Sequence, residues 1–226
     1  SPKQVIAEAK RNGAKVFCDV TTLDYAKKVQ DLGADGVIAV SSGAGGHAGP
    51  ISPLVLIPYL QKYLSIPVVA AGGIATGRQL ASTLALGAAA VQIGTRFIAS
   101  TECKVEESYK KAILDADPED VVLTSQLTGT PASVIRTPYV DKIGLDLNPV
   151  QKFLLSNETT KKWFKLAMNL RGASLLKSAA KKPTWKEVWS AGQGVGLIDK
   201  VESIQDIVDS LVSECIETIA ELNHLT

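Results

Sequence analysis

The chain has 226 residues, with 24 Lys and Arg against 23 Asp and Glu, so its formal net charge is +1. This balance gives no electrostatic support for binding to nucleic acid or to an anionic membrane surface. The composition, 46% hydrophobic and 21% charged, is typical of a globular protein. The N-terminal segment has no apolar signal region, and no apolar run approaches the roughly 20 residues of a membrane span.

The three cysteines, Cys18, Cys103 and Cys215, lie far apart in the sequence. An odd number of cysteines without close pairs argues against a disulfide framework and against a zinc site. The sequence therefore predicts no bound metal and a cytoplasmic location.

A repeated pattern runs through the first hundred residues. Helical segments end in Gly-Ala pairs that begin at Gly13, Gly33 and Gly87, and a short apolar run follows each pair. Glycine after a helix suits the left-handed conformation that ends it. Four runs, "KVFCDV", "GVIAV", "IPVVAAGG" and "AVQIGT", are apolar on both alternating faces. Such runs are typical of parallel strands covered by helices, and they predict a βαβαβαβ arrangement of the α/β class.

Helix starts are also readable between these runs. Thr76 and Gln79 fit a capping box, and Ser52-Pro53 fits a helix start ahead of "LVLIPYLQKYL". Pro58 makes either a later start or a kink of that helix the expectation.

Glycines mark the ends of the third and fourth predicted strands. Gly72 and Gly73 follow one strand, and Gly94 and Thr95 follow the next. Ligands of parallel α/β folds bind beyond the carboxyl ends of the strands, where exposed backbone N–H groups can hold a phosphate. The helix starting after Thr76 is expected to add its dipole to that site. Tight turns alone are the alternative explanation for any one glycine pair.

His47 is one of only two histidines, and it lies in the small-residue stretch "AVSSGAGGHAGP" after the second strand. A single histidine in a sequence is more often structural than catalytic. Its place on the presumed ligand edge favours a catalytic role, because an imidazole accepts a proton near neutral pH.

The segments "GAGGHAG", "PVVAAGGIATGRQLASTLALGAAAVQIGTRF" and "WSAGQGVGLI" together resemble the nitronate monooxygenase family, formerly called 2-nitropropane dioxygenases. The related FMN-dependent enoyl-acyl-carrier-protein reductases share these motifs. The resemblance implies a TIM-type (β/α)8 barrel with an added, mostly helical lobe and noncovalently bound FMN.

The resemblance also assigns residues. His47 falls on the catalytic histidine of the family, and Gly45 and Gly46 on glycines that pass the flavin. The pair Gly72 and Gly73 matches the first phosphate loop. The second phosphate loop matches Gln92, Ile93, Gly94 and Thr95.

Two positions depart from the family pattern. Val40 stands where members often have a polar or acidic residue, and Gly43 stands where they have a glutamate. Hydrogen bonds from those side chains to the flavin ring are therefore expected to be lost or moved, and the substrate pocket to differ.

Only four strands are convincing, and they match the second half of the eight-stranded barrel. We expect residues 1–120 to form this C-terminal half-barrel, 121–198 an inserted, mostly helical lobe on the substrate side, and 199–226 an amphipathic helix that packs on the barrel. Open sheet edges predict a homo-oligomer or a complementary N-terminal half-barrel as partner. A fragment, a split protein and a truncated chain all fit this expectation.

Two positions in the second half are weaker candidates. Arg136 lies near the expected active-site entrance, where pairing with a carboxylate or carbonyl is the commoner role. Gln193, within the flavin-proximal glycine-rich loop, is an even choice between a flavin contact and a structural role.

Trp163, Phe164 and Leu166 are expected to point inward from a lysine-rich helix. In the last helix, from about residue 201, a stripe that includes Ile207, Leu211, Val212, Cys215 and Ile216 is expected to pack in the core.

The resemblance implies an FMN-dependent oxidoreductase that converts nitronates or nitroalkanes, with molecular oxygen, to carbonyl compounds and nitrite. An enoyl-thioester reductase using NAD(P)H and the same flavin is the first alternative. A non-catalytic barrel half that assembles with a complementary chain is the second.

Overall fold

The computed structural model describes residues 2–156, 158–181 and 188–224. The helices and strands, in chain order, are α1 (Pro2–Arg11), β1 (Phe17–Val20), α2 (Leu23–Asp31), β2 (Gly36–Val40), α3 (Pro53–Tyr63), β3 (Val68–Ala71), α4 (Gly77–Ala85), β4 (Ala90–Gln92), α5 (Thr95–Ile98), α6 (Glu107–Asp115), β5 (Val121–Thr124), β6 (Ala132–Ile135), α7 (Pro138–Ile143), α8 (Pro149–Ser156), α9 (Glu158–Lys181) and α10 (Ile204–Asn223). Short 3-10 helices cover Pro118–Asp120 and Gln193–Leu197.

The chain forms two compact units. The first contains Ser1–Ala44, Ala48–Ile93 and Gln205–Thr226, and the second contains Gly45–His47 and Gly94–Ile204. Neither unit is continuous in sequence, because residues 45–47 join the second unit and residues 205–226 return to the first.

The first unit is built on a four-stranded sheet. Its order is β1-β2-β3-β4, and all three strand pairs are parallel. Its core is formed by side chains from the sheet and from the helices α1, α2 and α3, among them Ile6, Val20, Val29, Val37, Leu56, Leu60 and Val68. The predicted βαβαβαβ arrangement is confirmed. In the described part of the chain the sheet stays open, with β1 and β4 at its edges, and no closed barrel forms.

Burial of the strands differs from the prediction. Strands β2 and β3 are covered on both faces, as expected. Edge strands β1 and β4 are not, and the Phe17 side chain remains 46% exposed. Apolar residues on both faces therefore indicated correctly where the strands lie, but they did not indicate that the edge strands β1 and β4 remain partly exposed.

The local helix signals are confirmed. Gly13, Gly33 and Gly87 have φ angles of 75°, 90° and 98°, the left-handed conformation that ends a helix. Thr76 and Gln79 form a complete capping box. Helix α3 begins at Pro53 and continues through Pro58 to Tyr63.

The second unit combines helices α5 to α9 with the antiparallel pair β5-β6. Its core contains Leu127, Val134, Tyr139, Val140 and Val188. Within the described residues, no helix is long and apolar enough to span a membrane. The same residues contain no group of three or more His, Cys, Asp or Glu that could hold a metal ion.

One prediction about a helix face was wrong, and a second was confirmed only in part. Trp163 and Leu166 on α9 are 71% and 49% exposed, whereas Met168 is buried. On α10 only some residues of the predicted apolar stripe are buried. Ile207, Leu211 and Cys215 are buried, but Val212 and Ile216 are 48% and 63% exposed. The apolar pattern of α10 is wider than the surface that the first unit covers.

Candidate active site

The carboxyl ends of β3 and β4 lie side by side at one edge of the first unit's sheet. Ala71, the last residue of β3, pairs with Gln92, the last of β4. Gly72 and Gly73 continue from β3, and Ile93 continues from β4. The four residues predicted for phosphate contacts in this unit thus come to the same sheet edge.

Gly72 is required by the fold of this edge. A Cβ on Gly72 would lie 2.6 Å from Ser41 Oγ and 2.7 Å from the Ala44 nitrogen, and its φ is 117°. The Ser41 hydroxyl also donates to the Ala71 carbonyl at 2.9 Å. Part of the glycine pattern therefore serves protein packing.

Gly43 approaches the same loop. A Cβ there would lie 3.2 Å from Gly73 Cα, so the turn at Gly43 rests directly on the backbone of Gly73. The departure from the family's glutamate at this position is matched by a close backbone contact that leaves little room for a side chain.

Several amides at the start of α4 already have acceptors within the first unit. The Gly77 N–H donates to the Glu214 carboxylate of α10 at 2.6 Å. The amides of Ala75 and Thr76 donate to Gln79 Oε1 at 2.7 and 3.2 Å. A contribution of the α4 dipole to phosphate binding stays a prediction.

Other amides remain open. Among the described residues, no hydrogen-bond acceptor is found for the N–H groups of Gly72, Gly73 or Gly94. A Cβ on Gly94 would meet no atom within 4 Å. Unpaired backbone donors beside glycines fit the binding of an anion such as a phosphate.

In the second unit, Gly45 packs against the glycine-rich segment that ends the inserted region. A Cβ on Gly45 would lie 2.8 Å from both the Ala191 carbonyl carbon and the Gly192 nitrogen. The Gly192 N–H in turn donates to Thr95 Oγ1 at 3.0 Å. Gly45, Thr95 and Gly192, remote in sequence, therefore lie together in one unit.

Gly46 forms a bridge to strand β6. Its N–H donates to the Ser133 carbonyl at 3.1 Å, and the Ser133 N–H donates back at 2.7 Å. Val134 forms a similar isolated bridge to Ser190. These long-range contacts fix the backbone on both sides of β6 and hold the segment that carries His47.

Tyr109 supports the same region from helix α6. Its hydroxyl donates to the Ser190 carbonyl at 2.5 Å, and its ring stacks on Trp189 with centroids 5.8 Å apart. Burial raises the pKa of Tyr109 far above its usual range, with a smaller contribution from Cys103. Tyr109 is thus a neutral hydrogen-bond donor at physiological pH.

His47 is exposed to solvent and makes one side-chain hydrogen bond. Its Nε2 lies 2.7 Å from the Oγ1 of Thr128, which is buried on the loop after β5. Sequence reasoning missed Thr128, because 81 residues separate it from His47 and "SQLTGTPAS" carries no periodic signal.

The weaker candidates are explained differently. Arg136 Nε donates to Asp141 Oδ1 at 2.9 Å in an exposed ion pair, which is the structural role that was the commoner alternative. Gln193 is exposed in the 3-10 helix that follows Gly192.

A charged cluster lies elsewhere in the second unit. Glu202 is bound by Arg96 and by Lys200, whose Nζ lies 2.8 Å from Glu202 Oε1. The Lys200 hydrogen bond and the charge of Arg96 lower the pKa of the Glu202 carboxyl against the opposing effect of burial.

A parallel α/β unit with unpaired amides beyond its strand ends is typical of enzymes that bind phosphorylated ligands. The family model for nitronate monooxygenase matches residues 1–214. The chain belongs to the nitronate monooxygenase family, and it is an FMN-dependent oxidoreductase.

The names of the curated relatives indicate two chemistries. The chain is 32% identical to the (3aS,4S,5R,7aS)-5-hydroxy-7a-methyl-1-oxo-octahydro-1H-indene-4-carboxyl-CoA dehydrogenase of Rhodococcus jostii, over 100% of this chain and 71% of the relative. It is also 32% identical to a probable nitronate monooxygenase of Staphylococcus saprophyticus, over 96% of this chain and 61% of that protein.

Among solved structures, FabK of Thermotoga maritima is similar with a TM-score of 0.84 and 35% identity. The match covers 100% of this chain and 68% of FabK.

Proposed function

We propose that this protein oxidises nitronates and nitroalkanes with molecular oxygen to carbonyl compounds and nitrite. The observation that carries this proposal is the placement of His47. The Gly46–Ser133 bridge and the Thr128 hydroxyl hold this residue in position. The chain that carries it belongs to the nitronate monooxygenase family. In overall balance, two nitronate anions and one dioxygen give two carbonyl compounds and two nitrite ions.

The cofactor contacts are proposed from the family motifs and fit the residues present. We assign the phosphate of FMN to the backbone of Gly72, Gly73, Gly94 and Thr95, with Gln92 and Ile93 beside them. The unpaired amides of Gly72, Gly73 and Gly94 support this assignment. Gly45 and Gly46 are assigned to the flavin ring. FMN, when bound, supplies the electron transfer of the reaction.

His47 has a separate role in the proposal. A neutral nitroalkane carries a proton on the carbon next to the nitro group. The imidazole takes that proton as the C–H bond breaks, and the electron pair stays on the substrate as the nitronate anion. A nitronate that arrives already ionised needs no base, so His47 then only orients it.

A thioester reductase is the second candidate. Two observations favour it: the motifs shared with the FMN-dependent enoyl-acyl-carrier-protein reductases, and the relation to a dehydrogenase of a carboxyl-CoA compound. In that reaction NAD(P)H would supply the electrons for reduction of an enoyl thioester, and bound FMN would supply the chemistry that transfers them.

One experiment separates the candidates. The protein is purified, its flavin absorbance is recorded, and two assays are run: oxygen uptake with a nitronate, and NADH consumption with an enoyl thioester. We expect a yellow protein that consumes oxygen with the nitronate. NADH consumption with the thioester, without oxygen uptake with the nitronate, would support the reductase. A colourless protein that fails to bind added FMN would favour the non-catalytic assembly role.

We also propose that the four parallel strands are the C-terminal half of an eight-stranded barrel, with residues 121–198 as the inserted lobe and 199–226 as the packing helix. The exposed edge residues, such as Phe17, support closure by a complementary N-terminal half or by a second copy. Sedimentation of the chain is expected to show association, and a well-behaved monomer with cooperative unfolding would contradict this.

The three free cysteines support a reducing, cytoplasmic location. The partners we propose are the small-molecule substrate and molecular oxygen.

A further inference from the structure

The hydrogen bond between His47 and Thr128 has a direction that the second contact of Thr128 determines. Thr128 Oγ1 lies 2.7 Å from His47 Nε2 and 3.1 Å from the Thr130 carbonyl oxygen. A carbonyl oxygen only accepts, so the contact with Thr130 is a hydrogen bond when the Thr128 hydroxyl donates its one proton to that carbonyl. The hydroxyl oxygen then accepts from His47, and Nε2 is the nitrogen that carries hydrogen.

We propose that Thr128 is a positioning residue that fixes the tautomer of His47, leaving Nδ1 as the basic nitrogen. A neutral imidazole carries one N–H, so hydrogen on Nε2 leaves the lone pair on Nδ1. The atom that takes the substrate proton is therefore Nδ1.

Packing holds the Thr128 hydroxyl in place. Thr128 is 6% exposed, and the loop that carries it closes with a hydrogen bond from the Gly129 N–H to the Ser125 carbonyl at 2.9 Å. Helix α9 approaches this loop at Gly172. A Cβ on Gly172 would lie 2.5 Å from the Leu127 carbonyl oxygen and 3.0 Å from Thr128 Cγ2. The glycine thus lets the helix press on the threonine methyl group and restrict its rotation.

The catalytic part of this inference rests on the proposed function, in which His47 is the base. When Nδ1 takes a proton, the ring becomes a cation and the Nε2–H bond to Thr128 becomes charge-assisted, and therefore stronger. Thr128 stabilises the protonated form without contacting the substrate.

The tautomer is measured directly by NMR on the full chain labelled with ¹⁵N-histidine and free of FMN. The protein has two histidines, so the spectrum holds two imidazoles. His224, exposed after α10, is the internal reference for an unconstrained ring, and a His224→Gln variant assigns the signals. The spectrum is recorded at about pH 8.5, roughly two units above the ordinary imidazole pKa.

We expect a single Nε2–H tautomer for His47 in the unmodified protein. Thr128→Val removes the hydroxyl at similar volume, and the His47 signals should move to a mixture like that of His224. Thr128→Ser keeps the hydroxyl and should restore the single tautomer. Thr124→Val is the matched control, because Thr124 is a buried threonine of the preceding strand whose hydroxyl donates to the Gly144 carbonyl at 3.0 Å.

An Nδ1–H signal for His47 in the unmodified protein would overturn the proposal, even if the valine variant fails to fold. A single Nε2–H tautomer that persists in Thr128→Val would also overturn it. In turnover, Thr128→Val should slow oxidation of a neutral nitroalkane roughly tenfold relative to its nitronate.

A failure of the proposed function gives a different result. If the NMR result is as expected but His47→Ala oxidises neutral nitroalkane at the unmodified rate, the tautomer assignment stands and the catalytic role of His47 is overturned.

Discussion

The two units position their candidate residues by different means. In the first unit, Gly72 and Gly73 are set by the sheet register and by a turn at residues 41–44 that follows the neighbouring strand. In the second unit, Gly46 and His47 are set by Ser133 and Thr128, more than 80 residues away. The glycine loop at the end of β3 is thus positioned by neighbouring parts of the α/β unit. His47, in contrast, is held by residues of the second unit that lie far away in the sequence.

The largest effect that would test this contrast is expected from His47→Ala. Oxidation of a neutral nitroalkane should fall by about 10²–10⁴, the contribution of a positioned general base, while oxidation of the pre-formed nitronate falls far less. FMN binding should be nearly unchanged, because the phosphate contacts are assigned to other residues. Initial rates with both substrate forms and a flavin titration measure this.

His224→Ala is the control, since that histidine is exposed beyond α10. Loss of FMN from the His47→Ala protein would instead make His47 a structural residue of the flavin site.

Two glycine-to-alanine substitutions, one in each unit, are compared by their effect on the free energy of unfolding. Gly72→Ala places a Cβ against Ser41 Oγ and the Ala44 nitrogen at a φ of 117°, so we expect a loss of about 2–4 kcal/mol in the free energy of unfolding. Gly94→Ala meets no neighbouring atom and should change that free energy by less than about 0.5 kcal/mol. Denaturant unfolding compares the two variants.

The same pair separates packing from ligand binding. Gly94→Ala should weaken FMN binding despite its small effect on stability. Gly73 is a less direct probe, because its φ of 73° adds backbone strain to any substitution. Unchanged FMN affinity in Gly94→Ala would remove Gly94 from the phosphate contacts.

A smaller, pH-dependent effect is expected from Glu202→Gln in the second unit. The pKa of Glu202 is lowered in the folded state, so its ion pairs stabilise the fold above the ordinary glutamate pKa of about 4.3. That stabilisation is lost as the pH falls through the lowered value. Near neutral pH the variant should melt about 5 °C lower, because Arg96 is then left buried without its charged partner.

The melting temperatures of the two proteins should converge as the pH falls below about 4. Glu8→Gln, which breaks an exposed pair with Arg11, is the control and should show no comparable difference. A Glu202→Gln deficit that stays constant down to strongly acidic pH would contradict the charge-based explanation.

The smallest effect is expected from Arg136→Ala. Its partner Asp141 and Arg136 itself are both about half exposed, so the pair should contribute at most about 1 kcal/mol to stability. Turnover should stay unchanged. A selective rise in KM would show that Arg136 contacts substrate, the less common of the two roles the sequence allowed.

The sequence predicted the first unit well, because its signals are short-range. Glycines that end helices, a capping box and apolar runs each depend on residues within about ten positions, and all are seen in the structure. The exposure of Trp163 was not predictable, since burial depends on which element covers a face. Glu214 at the start of α4 was missed for the same reason, since 137 residues separate it from Gly77.

The passage of residues 45–47 into the second unit has a consequence for exchanging segments among family members. A chimera that receives residues 94–204 from a relative keeps the host's histidine but acquires the donor's residues at the positions of Thr128 and Ser133. A donor residue that cannot accept from His47 Nε2 at the position of Thr128 would, on the proposed role of His47, alter proton transfer. Recombination between family members should therefore transfer the segment "GGH" together with residues 94–204.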